Sequence, residues 1–425
     1  MDTTQTSPYA ASLSNADLNS LVYDQDRDRL LEFLKDPAIQ KAYDHLKWNN
    51  PIVQSRKHLL KTSLRLTPKL APKLYAIGMR CAQALSLKVK LEFYVYQEAK
   101  FNAACYPPTD DTIYIMITSG LLENFTEDEL AFVIGHEIGH AIFLHHEYPA
   151  NSLMDVGKEY LSPLHAMKLF AWKRDNEISA DRAGLLCCQD FNVAAKTFFK
   201  LSSGVTSDRL DFNLEEYIDQ YRELETELAE SSSIDPEDWY KSHPFSPMRI
   251  KALELFEKSD TYQRLTGKGK SMLSEQDMES KIRDFMTLME PSQLQESHNG
   301  QKVQEYMFMA SYLIAISDDQ IVREESDALS GLVKSDQVYN QCRAKIQGMS
   351  FEEVKQEVVH LSNQISTHLS HMEKLNLIRD LAVVAKADGH IKEAEVNVMH
   401  NLCHLLKIKP NFADQVMYEA GQDVD

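Results

Sequence analysis

One stretch of this 425-residue chain leaves little freedom in what surrounds it: Thr126 to Leu144, TEDELAFVIGHEIGHAIFL. Thr126 followed by Glu129 has the form of a capping box, and apolar residues recur after it, so the segment is predicted to be a helix. It carries His136, Glu137 and His140. A spacing of four residues puts both imidazoles on one face, where they can bind one Zn2+ while Glu137 holds and deprotonates a water beside them. Gly139, two histidines and a glutamate would make a poor core stripe, which argues against a merely structural helix. A catalytic zinc takes three protein ligands and keeps one position open. The fold must therefore bring a third ligand to the middle of this helix.

His146 and Glu177 compete for that place. His146 lies six residues after His140, but a third histidine there needs a chain-reversing glycine where this sequence has Phe143. With Phe143 the helix is expected to continue, turning His145 and His146 away from the metal face. Glu177 lies on a later predicted helix (RDNEISADRAG), with Asp181 one turn on and on the same face. A ligating carboxylate beside a second carboxylate that orients an imidazole makes a complete site, and Glu177 is the favoured third ligand.

The rest of the chain reads as α+β and mostly helical. Residues 18 to 46 are helical and charged, with Pro37 as punctuation, and residues 1–65 read as a helical lead-in. A helix is expected between Pro68 and Leu87. Lys90 to Gln97 and Thr112 to Thr118 alternate as strands of a small sheet, with a turn-rich stretch containing Pro107, Pro108, Asp110 and Asp111 between them. Thr112 to Thr118 is expected to form the upper rim of the cleft and to pair with an extended substrate. Further helical patterns cover Ser152 to Cys188 and Val193 to Leu201. The boundaries read as 66–262 for the metal-bearing domain, 263–300 for a linker marked by TGKGKSMLS, and 301–425 for an all-α domain.

Composition excludes several classes. With 64 acidic against 45 basic side chains the net charge is -19, spread over both parts of the chain, which opposes nucleic acid as a partner. No stretch is apolar enough for a membrane span, and the start of the sequence has no signal-peptide pattern, so a cytoplasmic protein is expected. The six cysteines lack metal-binding or disulfide-framework spacing. Cys187 and Cys188, being adjacent on a helix, cannot both face one ion and read as core residues.

The HExxH helix followed by ExxxD resembles the gluzincins, and the wider pattern is similar to the HtpX-like, Oma-like and CAAX-prenyl-protease-like zinc metallopeptidases. The resemblance covers about residues 66 to 260. It includes Asn102-Ala103, Ser119-Gly120-Leu121-Leu122, Glu129-Leu130, His145 nine residues after His136, Ser179-Ala180-Asp181, and His243-Pro244 with Arg249. It implies one zinc per chain on His136, His140 and Glu177, with Glu137 as general base. It also implies that Asp181 orients a ligand or donates a proton, and that His243 stands near the site to stabilise an oxyanion. Peptide hydrolysis of a polypeptide substrate is the expected activity; the absence of spanning helices separates this chain from the membrane-embedded members.

The tail contains a duplicated unit. DDQIVREE from Asp318 and DGHIKEAE from Asp388 align in register, and each follows an apolar helical run, Tyr306 to Ile316 and Leu375 to Ala385. It resembles the tellurite-resistance-protein-B-like (TerB-like) helical domain, for which interaction with a protein partner or regulation is the expected role. Asp318 and Asp388 read as helix caps or turn residues, in preference to a cation site shared with Glu325 and Glu395. The expected function is thus a zinc endopeptidase with a docking or regulatory tail. The alternatives are a catalytically silent relative serving as a scaffold, which a missing ligand would favour, and a stress-related interaction protein dominated by its tail.

Overall fold

The computed structural model describes residues 16–49, 55–109, 111–157, 160–161, 163–206, 209–230, 240–268, 271–290, 300–317, 323–333, 335–367, 369, 371–387 and 389–418. The chain divides into two compact units, one of residues 1–222 with 240–285 and one of residues 223–239 with 286–425.

In the first unit, the charged lead-in forms α1 (Asp24–Phe33) and α2 (Pro37–Asn49). Asp36 ends one and starts the other, its Oδ1 accepting from the backbone N–H groups of Ala38 and Ile39. These helices are not a separate piece. Phe33, Ile39, Ala42 and Leu46 share a core with Tyr148, Leu153, Leu169 and Trp172 from much later in the chain.

Among the described residues the sheet has four strands: β1 (Leu64–Leu66), β2 (Lys90–Tyr96), β3 (Ala103–Thr109) and β4 (Thr112–Thr118), in the order β1-β2-β4-β3. Strands β2 and β4 run parallel with Leu91, Phe93 and Val95 opposite Ile113, Ile115 and Ile117. The other two pairings are antiparallel, and β3 lies at the edge beyond β4. This corrects two expectations. The stretch before Thr112 forms a strand despite Pro107 and Pro108, which an edge tolerates because one side of the ladder needs no N–H donors. The strand from Thr112 is paired on both sides, so it cannot be the rim that receives a substrate strand; that edge belongs to β3.

Between β1 and β2 runs α3 (Pro72–Ala84), and after the sheet comes α4 (Glu127–Ile142), the HExxH helix. Its capping box is formed as expected: Thr126 Oγ1 accepts from the Glu129 N–H, and Glu129 Oε2 accepts from the Thr126 N–H. Then follow α5 (Ala150–Val156), α6 (Pro163–Cys188), α7 (Phe191–Ser203), α8 (Ser246–Glu257), α9 (Asp260–Thr266) and α10 (Glu275–Met286). The region expected to be a linker therefore begins with structured helices. Met278, Ile282 and Phe285 of α10 are buried, and Arg182 of α6 donates from both Nη atoms to Glu279, with neither side chain exposed beyond 5%. The amphipathic pattern of α10 was overshadowed by the Gly- and Ser-rich stretch before it.

Among its described residues the second unit is built of helices. It contains α11 (Gln301–Ala315), α12 (Arg323–Leu332), α13 (Asp336–Lys345), α14 (Phe351–Ile365), α15 (His371–Ala385), α16 (Glu393–Leu406) and α17 (Asn411–Tyr418). The apolar helices of the two repeats, α11 and α15, supply the centre of one core, with Tyr306, Ala310, Ile314, Leu377, Leu381 and Ala385 fully or almost fully buried. Asp318 and Asp388 lie outside the described residues. Gly389 beside the latter has φ +79°, a backbone conformation that favours glycine in this turn. Glu395 Oε2 accepts from the Lys392 N–H at the start of α16, 2.7 Å away.

Candidate metal centre

The site is made where α4 and α6 press together. On α4, Gly135 and Gly139 face α6 one turn apart. A Cβ on Gly135 would lie 2.6 Å from Cys187 Sγ, and one on Gly139 would lie 3.0 Å from the Ala180 Cα. Hydrogen at these two positions lets the helices approach closely enough for side chains of α6 to reach the middle of α4. Cys187 is buried in this seam, its thiol donating towards the Cys81 carbonyl 3.7 Å away, in keeping with the core reading of the sequence.

His136, His140 and Glu177 come together with one donor atom each within 4.8 Å of the others. His136 Nε2 lies 3.0 Å from His140 Nε2, and the two stand 3.5 Å and 3.4 Å from Oε2 and Oε1 of Glu177. Neighbouring donors around a tetrahedral zinc with bonds of about 2.0–2.1 Å are about 3.3–3.4 Å apart, so the set fits that ion in chemistry and spacing. Glu177 Oε2 is buried and accepts no hydrogen bond, although it forms an ion pair with Arg249 at 3.0 Å. His146 is outside this cluster.

Each imidazole presents Nε2 to the common point and uses Nδ1 for support. His136 Nδ1 lies 2.9 Å from Asp181 Oδ1, and Arg249 grips the same carboxylate with Nε at 2.8 Å and Nη2 at 2.6 Å. Burial disfavours a charged His136, but the hydrogen bond to Asp181 and the charges of Glu177 and Asp181 outweigh it, and its pKa is raised. Burial would likewise raise Glu177, yet Arg249, His243 and His140 hold it well below the ordinary carboxylate range. Arg249 appeared in the sequence only as part of a resemblance; here it balances two buried carboxylates.

His140 is supported differently, and here the structure overturns an expectation. Helix α4 stops at Ile142 instead of continuing through Phe143, because Leu144 takes a left-handed conformation with φ +64°. Such a residue costs about 1–2 kcal/mol without glycine. The reversal brings the His145 N–H to the His140 carbonyl and its Nδ1 to within 2.8 Å of His140 Nδ1. His145 Nε2 in turn lies 3.0 Å from Oδ2 of Asp26 on α1. Burial lowers the pKa of His145 against the pull of Asp26, and burial pushes neighbouring His146 down to about 3.

A cleft of about 300 Å³ opens over the three donors. Buried Glu137 lines it, with Ala103, Ala104 and Cys105 of β3 along one wall. His243 is at the mouth, 61% exposed, with Nε2 3.4 Å from Glu177 Oε1 and Nδ1 2.8 Å from Ser242 Oγ. Glu177 draws its pKa up, but partial desolvation of the ring on the side facing the site and the electrostatic influence of Arg249, His136 and His140 bring it below the ordinary value. The six site residues expected from the sequence are thus gathered in one place.

Comparison with known proteins agrees with this geometry. Residues 68–257 match the family model of Peptidase family M48, and residues 304–417 match that of Tellurite resistance protein TerB. A relative from Arabidopsis thaliana, plastoglobule-localized metallopeptidase 48, chloroplastic, is 24% identical over 220 residues, which cover 48% of this chain and 62% of that protein. The matched part is thus less than two thirds of the relative's length. Among the described residues no helix is long and apolar enough to cross a membrane. The chain carries a Peptidase family M48 domain and, after it, a TerB domain.

Proposed function

We propose that the protein is a zinc-dependent metalloendopeptidase whose ligands are His136, His140 and Glu177. The observation that carries this reading is the convergence of two Nε2 atoms and one buried carboxylate at tetrahedral spacing, at the base of a cleft with Glu137 in its wall. Zinc bound there supplies a Lewis acid that polarises the scissile carbonyl and acidifies a water. Glu137 takes the proton of the attacking water on its carboxylate and passes it to the departing amine nitrogen. Asp181, held by Arg249, fixes His136 with Nε2 towards the ligand point. His243 at the mouth donates to the carbonyl oxygen as negative charge develops on it.

The substrate is a polypeptide in extended form, laid along the outer edge of β3. Main-chain pairing there reads shape more than side chains and ends at Pro107 and Pro108, which have no N–H to donate. The TerB domain is proposed to dock a protein partner or to regulate the peptidase. The test is metal analysis of the purified chain together with cleavage of an unfolded test protein. One zinc per chain and cleavage abolished by chelator are expected; cleavage that persists after complete metal removal would overturn the reading.

A further inference from the structure

Two carboxylates, not one, stand behind the paired histidines, and the second comes from the lead-in that precedes the family match. Asp26 is on α1 and is 1% exposed. Its Oδ1 accepts from Trp172 Nε1 at 2.9 Å, and its Oδ2 accepts from Ser179 Oγ at 2.5 Å and faces His145 Nε2 at 3.0 Å. Trp172 and Ser179 belong to α6, the helix that carries Glu177. A carboxyl group buried this deeply needs partners, and three side chains, Trp172, Ser179 and His145, face its two oxygens.

We infer that Asp26 and His145 act as positioning residues for His140, fixing the tautomer that leaves its Nε2 free to bind metal. The inference rests on the metal reading above. With Asp26 as the acceptor and His145 neutral, the hydrogen-bonded chain has one arrangement of protons. A carboxylate only accepts, so His145 must carry its proton on Nε2. Neutral His145 then has a bare Nδ1, which can only accept, and His140 must donate to it from Nδ1. The lone pair of His140 is left on Nε2, pointing at His136 Nε2 and Glu177. Reversing the chain would place a proton on His140 Nε2, where it would block ligation. His136 receives the same service directly from Asp181. A hydrogen-bonded partner behind a ligating imidazole is commonly worth about 10–100-fold in metal affinity.

The experiment is zinc affinity of the full chain, measured by competition with a chromophoric chelator, for wild type and for H145F, H145Q and D26N. Thermal unfolding of each metal-free chain is recorded alongside. H145F keeps an aromatic ring but accepts nothing, and should bind zinc about 10–100-fold more weakly. H145Q, whose amide oxygen can accept from His140 Nδ1, should recover a large part of that loss. D26N, of nearly the same shape, turns one acceptor into a donor facing either His145 or Trp172, and should weaken zinc as H145F does. If H145F does not fold, D26N carries the test. A folded H145F or D26N with wild-type zinc affinity would overturn the inference. Wild type that binds no zinc would instead overturn the metal reading on which it rests.

Discussion

Gly139 faces Ala180 so closely that a Cβ on the glycine would lie 3.0 Å from the Ala180 Cα. The contact falls between His140 on one helix and Glu177 and Asp181 on the other, so the spacing of the metal centre depends on it. Gly139→Val should force α4 and α6 apart, costing about 1–3 kcal/mol of stability by overpacking. It should weaken zinc binding as well, because Glu177 recedes from the imidazoles. Urea unfolding and zinc titration check both; unchanged values in a folded variant would contradict this account of the seam.

Arg249 compensates two carboxylates at once, with contacts of 2.6 Å to Asp181 and 3.0 Å to Glu177. Removing one partner of a buried ion pair leaves an uncompensated charge and costs about 3–5 kcal/mol. Arg249→Met should therefore destabilise the metal-free protein strongly. Arg249→Lys, which keeps the charge but not the planar fork, should fall between the two. Denaturant midpoints of the three chains give the order, and Arg249→Met as stable as wild type would contradict it.

The buried pair Arg182–Glu279 ties α10 to the helix bearing Glu177. Glu279→Ala should cost about 3–5 kcal/mol, whereas changing both residues to leucine should recover most of that loss. A loss no smaller in the double variant than in Glu279→Ala would show that the pair is not what holds α10 in place. The comparison is made by urea unfolding of the full chain.

What could be read from the sequence were the features written locally. Thr126 and Glu129 announce the start of α4 three residues apart, and Glu177 with Asp181 declare a shared face by their spacing. The support behind His140 was hidden for two reasons. Asp26 sits in DQDRDR, where charged residues at Asp26 and Arg29 point inwards together with Phe33, so no apolar stripe marks the buried face. His145 was expected to turn away because Phe143 is not glycine, yet the reversal is made one residue later, by Leu144 at φ +64°. Strand β3 was masked by Pro107 and Pro108, which are unusual in a strand and acceptable at an edge.

The central claim is that Glu137 moves the proton in a reaction for which His136, His140 and Glu177 hold the metal. The most direct measurement compares zinc content and cleavage of an unfolded protein in wild type, Glu137→Gln and Glu177→Ala. Glu137→Gln is predicted to keep its zinc and lose cleavage by several orders of magnitude, while Glu177→Ala loses zinc and cleavage together; Glu137→Gln cleaving at the wild-type rate would contradict the account.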